Sequence, residues 1–142
     1  MIEFKPKSKK TDLTHALRYF SNVMKKKAIV FILSDFIDTG YDSALKIVGK
    51  KHDVTGIRVY DKHDVTIPNL GVVPIRDAET GKTILANTAS KKVRRAYEGY
   101  YADKVDYYEK TFSHSGAGTI STRIDESYVK KLLGYFKNKG AR

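Results

Sequence analysis

Apolar positions change period several times along the chain, and each change marks an element. Leu13, Ala16, Leu17, Phe20, Val23 and Met24 recur at three- and four-residue steps, the spacing of one helix face. Thr11 or Asp12 can cap the first turn, and Lys25–Lys27 suit the negative end of that helix. Ala28–Leu33 is then a six-residue run without a polar member, rich in β-branched and aromatic residues, and it stops at Ser34-Asp35. This composition predicts a parallel strand buried on both faces. Ala44, Leu45, Ile47 and Val48 predict a short helix ending near Gly49, and Val54–Tyr60 a second strand. Residues 69–88 hold two short apolar stretches around a Gly-containing loop, an inserted antiparallel hairpin. Ser90 caps a long helix with the stripe Val93, Tyr97, Tyr100/Tyr101, Val105, Tyr108 and Phe112. Gly118–Ile124 is a third strand, and Asp125 is expected to cap a last helix carrying Val129, Leu132, Leu133 and Phe136.

Strands alternating with helices make a parallel α/β sheet. If the three strands lie in chain order, right-handed crossovers put the connecting helices on one face and leave only the last helix for the other. The fold expected is a partial Rossmann-like three-layer arrangement with an antiparallel hairpin inserted. Residues 1–10 form a basic arm, 11–139 the folded part and 140–142 a tail. The strand Ala28–Leu33 would then be an apolar edge, which is adhesive, and homo-oligomers joined through it are expected.

Composition narrows the chemistry. The 142 residues include no Cys, so disulfides, thiol nucleophiles and thiolate metal sites are excluded. No apolar run approaches the ~20 residues of a membrane helix, so a soluble cytoplasmic domain is the default expectation. The net charge is +11, concentrated at the two ends: eight basic and two acidic side chains in 1–27, twelve and six in 91–142. Solvated surfaces account for most such runs. Lys91, Lys92, Arg94 and Arg95 ahead of a tyrosine-rich helix nevertheless give a second reading, nucleic-acid contact. The helical spacing favours packing for these tyrosines and leaves Tyr100 and Tyr107 over as contact residues. Lys-His-Asp-Val-Thr occurs at 51–55 and again at 62–66. A strand of ~7 residues at ~3.3 Å each separates the two His-Asp pairs by ~20 Å, too far to share an ion. Asp35 and Asp38 beyond a strand end allow a weaker third reading, a Mg²⁺-dependent hydrolase, although no base or nucleophile accompanies them.

Several pieces in order carry a family resemblance: Lys9-Lys10-Thr11-Asp12-Leu13; Ala28–Leu33 running into Ser34-Asp35-Phe36; His52-Asp53-Val54 leading to Arg58-Val59; Asp77 with Glu79-Thr80-Gly81; and Tyr128-Val129 followed by Leu132 and Phe136. The chain resembles the C-terminal half of bacterial von Willebrand factor A-like proteins of the domain-of-unknown-function 58 family, whose genes commonly accompany MoxR-type AAA+ ATPases. The resemblance implies a non-enzymatic protein–protein interaction module, an adaptor or assembly factor working with such an ATPase. It also implies a metal-ion-dependent adhesion site, with Thr11 and Asp35 as Mg²⁺ ligands and Asp12, Ser34 and Asp38 beside them toward a partner. That site's first segment, Asp-x-Ser-x-Ser, is absent from this chain. The expectation is therefore a truncated domain with an incomplete site, Mg²⁺ belonging to an intact domain and no cofactor held here.

Overall fold

A computed structural model describes residues 11–76 and 81–140 of the chain. Its order is α1 (Leu13–Val23), β1 (Ile29–Ser34), α2 (Asp42–Lys51), β2 (Asp53–Tyr60), α3 (Lys62–Val65), β3 (Val72–Arg76), β4 (Thr83–Asn87), α4 (Lys91–His114), β5 (Gly118–Arg123) and α5 (Tyr128–Gly140). The arm 1–10, the turn 77–80 and residues 141–142 lie outside the described residues, and with them the Lys9-Lys10, Asp77 and Glu79-Thr80 parts of the family pattern. Gly140, read as the start of a tail, closes α5.

Strands β1, β2 and β5 form a parallel sheet in chain order, as the alternation requires. Ile29 pairs with Asp53 and Thr55 with Gly118, so β2 is central and β1 an edge. The hairpin is a separate antiparallel pair, β3 on β4, from Val72↔Asn87 to Arg76↔Thr83. Its base is closed by buried Thr88, whose hydroxyl donates to the Gly71 carbonyl (2.7 Å) and accepts from the Leu70 N–H (2.9 Å).

The core lies on one face of the sheet. Leu13 and Leu17 of α1, Ala44, Leu45 and Val48 of α2, Val54 of β2, and Tyr108 and Phe112 of α4 are buried together with Phe36 and Tyr41. The long helix inserts its aromatic stripe over Gly56, where a Cβ would lie 2.4 Å from the Phe112 ring; this is why β2 carries glycine at its centre. Tyr108 brings a hydroxyl into that core and donates it to the Gly56 and Ile120 carbonyls (2.9 and 3.3 Å). Burial raises the Tyr108 and Tyr41 phenols well above their usual range, so both stay neutral.

Several expectations are corrected. Ala16, Val23 and Met24 of the α1 stripe are exposed, because only Leu13, Leu17 and partly buried Phe20 reach the core. The Lys25–Lys27 run falls beyond the end of α1. β1 is not covered on both faces: Val30 and Ile32 pack against the core, but Ile29, Phe31 and Leu33 remain 69%, 45% and 67% exposed. Asp125 does not cap the last helix. It binds the Arg123 guanidinium through both oxygens (2.7 and 3.1 Å), and α5 starts three residues later at Tyr128. On that second face α5 is fastened by Lys139 to Asp53 (2.5 Å) and by the Tyr135 hydroxyl to Thr55 (3.2 Å).

Candidate functional site

The carboxyl ends of parallel strands are where open α/β sheets place their ligands, and the loop after β1 is built around an anchored turn. Phe36 is buried and adopts φ of +55°, the only positive φ outside glycine among the described residues. That conformation costs about 1 kcal/mol or more. It is held because the Phe36 ring stacks on Tyr108 (4.3 Å) and meets Phe112 edge-on (5.2 Å). The turn leaves Asp35, one residue earlier, exposed at the strand end. One carboxylate oxygen of Asp35 accepts from the Ile37 N–H (3.3 Å) and the Ser34 hydroxyl (3.4 Å), and Ser34 Oγ in turn accepts from the Phe36 N–H (3.1 Å).

The start of α1 is docked onto this loop. Asp38 accepts from the Leu13 N–H through Oδ2 (2.9 Å) and from the Thr39 N–H through Oδ1 (2.8 Å). The Thr14 hydroxyl donates to the Gly40 carbonyl (3.2 Å), and the Gly40 N–H donates to the Tyr107 hydroxyl (2.8 Å). Asp12 caps α1 by accepting from the His15 N–H (2.7 Å). The segment opening at Thr11 and the segment Ser34–Asp38, 20 and more positions apart in sequence, thus share one end of the sheet. Asp38 is the clasp between them, and is neither a free loop acid nor the cap of α2. Tyr107, read as a leftover contact residue, is half-buried on α4 with its hydroxyl against this loop.

As a Mg²⁺ site this set is short of donors. Thr11 offers a hydroxyl and Asp35 a carboxylate, both exposed; both Asp38 oxygens and Asp12 Oδ1 already accept backbone N–H groups. Mg²⁺ needs six hard oxygens in near-octahedral array. Among the described residues no group of three or more His, Asp or Glu is placed to hold a metal. The residues present do not fit a resident ion on their own.

Other candidates are dispersed. Lys91, Lys92 and Arg95 are exposed on the first turns of α4, while Arg94 donates to the Thr88 and Ala89 carbonyls (2.5 and 3.0 Å) and ties the helix to the hairpin base. The two His-Asp pairs do different structural jobs. His52 is buried at the end of α2, where Nδ1 accepts from the Ala28 N–H (3.2 Å) and the ring meets Phe20 edge-on. His63 is exposed on the short helix α3, and its N–H and ring both bind Asp61. Sequence reasoning missed Arg58, buried in β2 with its guanidinium on the Tyr101 hydroxyl (2.7 Å), the Ser121 hydroxyl (3.1 Å) and the Tyr60 ring. Its place in the Val54–Gly56–Arg58 alternation was the available signal. No described helix is long and apolar enough to cross a membrane.

Comparison with known proteins supplies the family. The chain is 26% identical over 129 residues to the uncharacterized protein MAV169 of Mycobacterium avium, covering 90% of this chain and 76% of that one. It is 24% identical over 138 residues to the uncharacterized protein Rv1480 of Mycobacterium tuberculosis, where it spans 94% of its own length but 42% of the relative's. Among solved structures it is similar to the conserved hypothetical protein BatB from Bacteroides thetaiotaomicron, at 16% identity and a TM-score of 0.41, over 92% of this chain and 58% of that one. The family described as "Protein of unknown function DUF58" matches residues 1–106, a span that holds α1, the loop after β1 and Thr11, Asp12, Ser34, Asp35 and Asp38; the chain belongs to that family.

Proposed function

We propose that the chain is a non-enzymatic interaction module, the C-terminal part of a von Willebrand factor A-like domain, which presents the loop after β1 to a protein partner of the MoxR-type AAA+ ATPase class. The observation that carries this reading is the clasp at Asp38. It binds the start of α1 to the β1–α2 loop and leaves Thr11 and the Asp35 carboxylate exposed toward the same end of the sheet. A polar rim that offers an acid and is clasped by backbone hydrogen bonds suits recognition of a partner. In an intact domain, upstream ligands joining Thr11 and Asp35 would let Mg²⁺ meet a partner's carboxylate.

The test is a titration of the full chain against a MoxR-type ATPase by interferometry, with and without Mg²⁺. The expected result is saturable binding that Asp35→Ala weakens by about tenfold or more, the scale of an interfacial charged contact. Absence of binding, or binding indifferent to Asp35, would overturn the proposal. If exposed Lys91, Lys92 and Arg95 instead mark a nucleic-acid surface, the chain will bind DNA or RNA with an affinity that falls steeply as salt rises.

A further inference from the structure

Arg58 of the central strand is a buried cation, 6% exposed, and among the described residues no carboxylate forms an ion pair with it. Taking a charge out of water is costly unless an anion answers it. Two of its five N–H groups are used: Nε donates to the Ser121 hydroxyl (3.1 Å) and Nη1 to the Tyr101 hydroxyl (2.7 Å). The Tyr60 ring lies 4.1 Å from the guanidinium carbon and steadies its plane. Three N–H donors are left over. Tyr101 is 5% exposed and accepts from Arg58, so its own hydroxyl proton remains to be donated. Burial raises the Tyr101 phenol above its usual range and keeps that proton in place. A guanidinium fork beside a hydroxyl donor matches the two oxygens of a carboxylate.

We propose that Arg58 and Tyr101 form the carboxylate-binding end of a site for a small ligand that also carries a positive charge, of which a basic amino acid is the simplest case. Both residues line a groove of about 440 Å³ between β2, α3 and α4, within the size range of small-molecule sites. Val65 and Val105 supply apolar wall, while Glu98, Asp106 and Glu109 stand on it from exposed positions of α4. Asp106 is engaged by Lys110 (2.7 Å), whereas Glu98 and Glu109 form no ion pair among the described residues.

These charges select the class of ligand. The groove is lined by one positive and three negative side chains. A bare anion would reach Arg58 only past carboxylates that repel it, and a bare cation would leave Arg58 unanswered. A molecule carrying both charges meets Arg58 with one end and a free glutamate with the other. Glu98 and Glu109 are eleven residues apart, about 16 Å along the helix, with Tyr101 between them, so the two ends need not crowd. The lining residues all fall within 58–109, and none belongs to α1, β1 or the loop after β1. The site is therefore independent of the proposed ATPase partnership, and its test contains no ATPase.

The experiment is isothermal titration of the full chain with L-lysine, hexanoate and cadaverine, which carry both charges, the carboxylate alone and the cations alone. L-lysine is expected to bind saturably, and each of the other two about tenfold more weakly or worse. Arg58→Lys keeps the charge and removes the fork, and should weaken L-lysine about tenfold or more with an unchanged circular dichroism spectrum. Glu98→Gln/Glu109→Gln alters only exposed helix positions. It should weaken L-lysine by about three- to tenfold and bring hexanoate closer to it. No binding of L-lysine at about 10 mM, or hexanoate bound as tightly as L-lysine, would overturn the proposal. So would a folded Arg58→Lys variant with the parent affinity. Should Arg58→Lys fail to fold, the glutamine double variant decides: unchanged affinities for both L-lysine and hexanoate refute the site.

Discussion

The two faces of the three-stranded sheet are made by the same strands and end in different conditions. On the face of α1, α2 and α4, Val30, Val54 and Gly56 meet Phe36, Tyr108 and Phe112, and the aromatic rings interlock at centroid distances of 4.3 to 5.2 Å. On the face of α5, Thr55 and Asp53 are held by a hydroxyl and an ammonium, while Ile29, Leu33 and Leu133 stay about two-thirds exposed. One face buries interlocked aromatic rings and sets the fold. The other is secured at a few polar points and leaves apolar side chains exposed. The difference teaches that burial must be assigned face by face, even within a single strand.

Phe112→Ala should separate the faces most sharply. Phe112 is 1% exposed and contacts Phe36, Tyr41 and Tyr108, so its loss is expected to cost about 3–5 kcal/mol. Phe31→Ala removes a similar ring from the opposite face, where it is 45% exposed. Its loss should cost no more than about 1.5 kcal/mol. Urea denaturation of both variants checks the pair; equal losses would mean that the second face is as tightly built as the first.

A smaller effect is expected at Gly56. A methyl group there would lie 2.4 Å from Phe112 Cε1, and the ring is locked by its aromatic neighbours. Gly56→Ala should therefore destabilise by about 1–3 kcal/mol. Combined with Phe112→Leu, which vacates the same space, the two losses should sum to more than the double variant shows. Additive losses would show that the strain lies elsewhere in β2.

Much of this architecture was legible in the sequence. The helix and strand periods, the hairpin and the chain-order sheet follow from alternation and connection handedness, and β2 and β5 begin within one residue of their expected starts. The exposure of β1 was only half legible. An unbroken apolar run states what residues 28–33 favour, and says nothing about whether the chain supplies a layer to cover them. The start of α5 was misplaced because Asp125 looks like a cap, yet Arg123 two residues before it competes for the carboxylate and holds it below the usual carboxylate range. At the site, Thr11, Asp12 and Asp35 were named through the family resemblance. The clasp by Asp38 was not legible, because it depends on a contact across 25 positions that no local pattern records.

The smallest expected effect tests how the second face is held. Lys139 reaches across from the last turn of α5 to Asp53 at the head of β2 (2.5 Å), with about a third of its side chain exposed. Partial burial alone would lower its pKa. The hydrogen bond to Asp53, with the attraction of Tyr135 and Asp53, outweighs this and raises it above the ordinary lysine value. A raised folded-state pKa means that the pair's contribution is fully present below the unfolded value and fades as pH climbs past it. Lys139→Met keeps the aliphatic stem and removes the charge. It should cost about 0.2–1 kcal/mol at neutral pH, the range of a partly exposed ion pair, and progressively less above pH 10.5. Thermal unfolding of parent and variant at neutral and alkaline pH reads the difference. A loss above about 2 kcal/mol would place the α5 face among the structural supports of the fold and remove the contrast between the two sides.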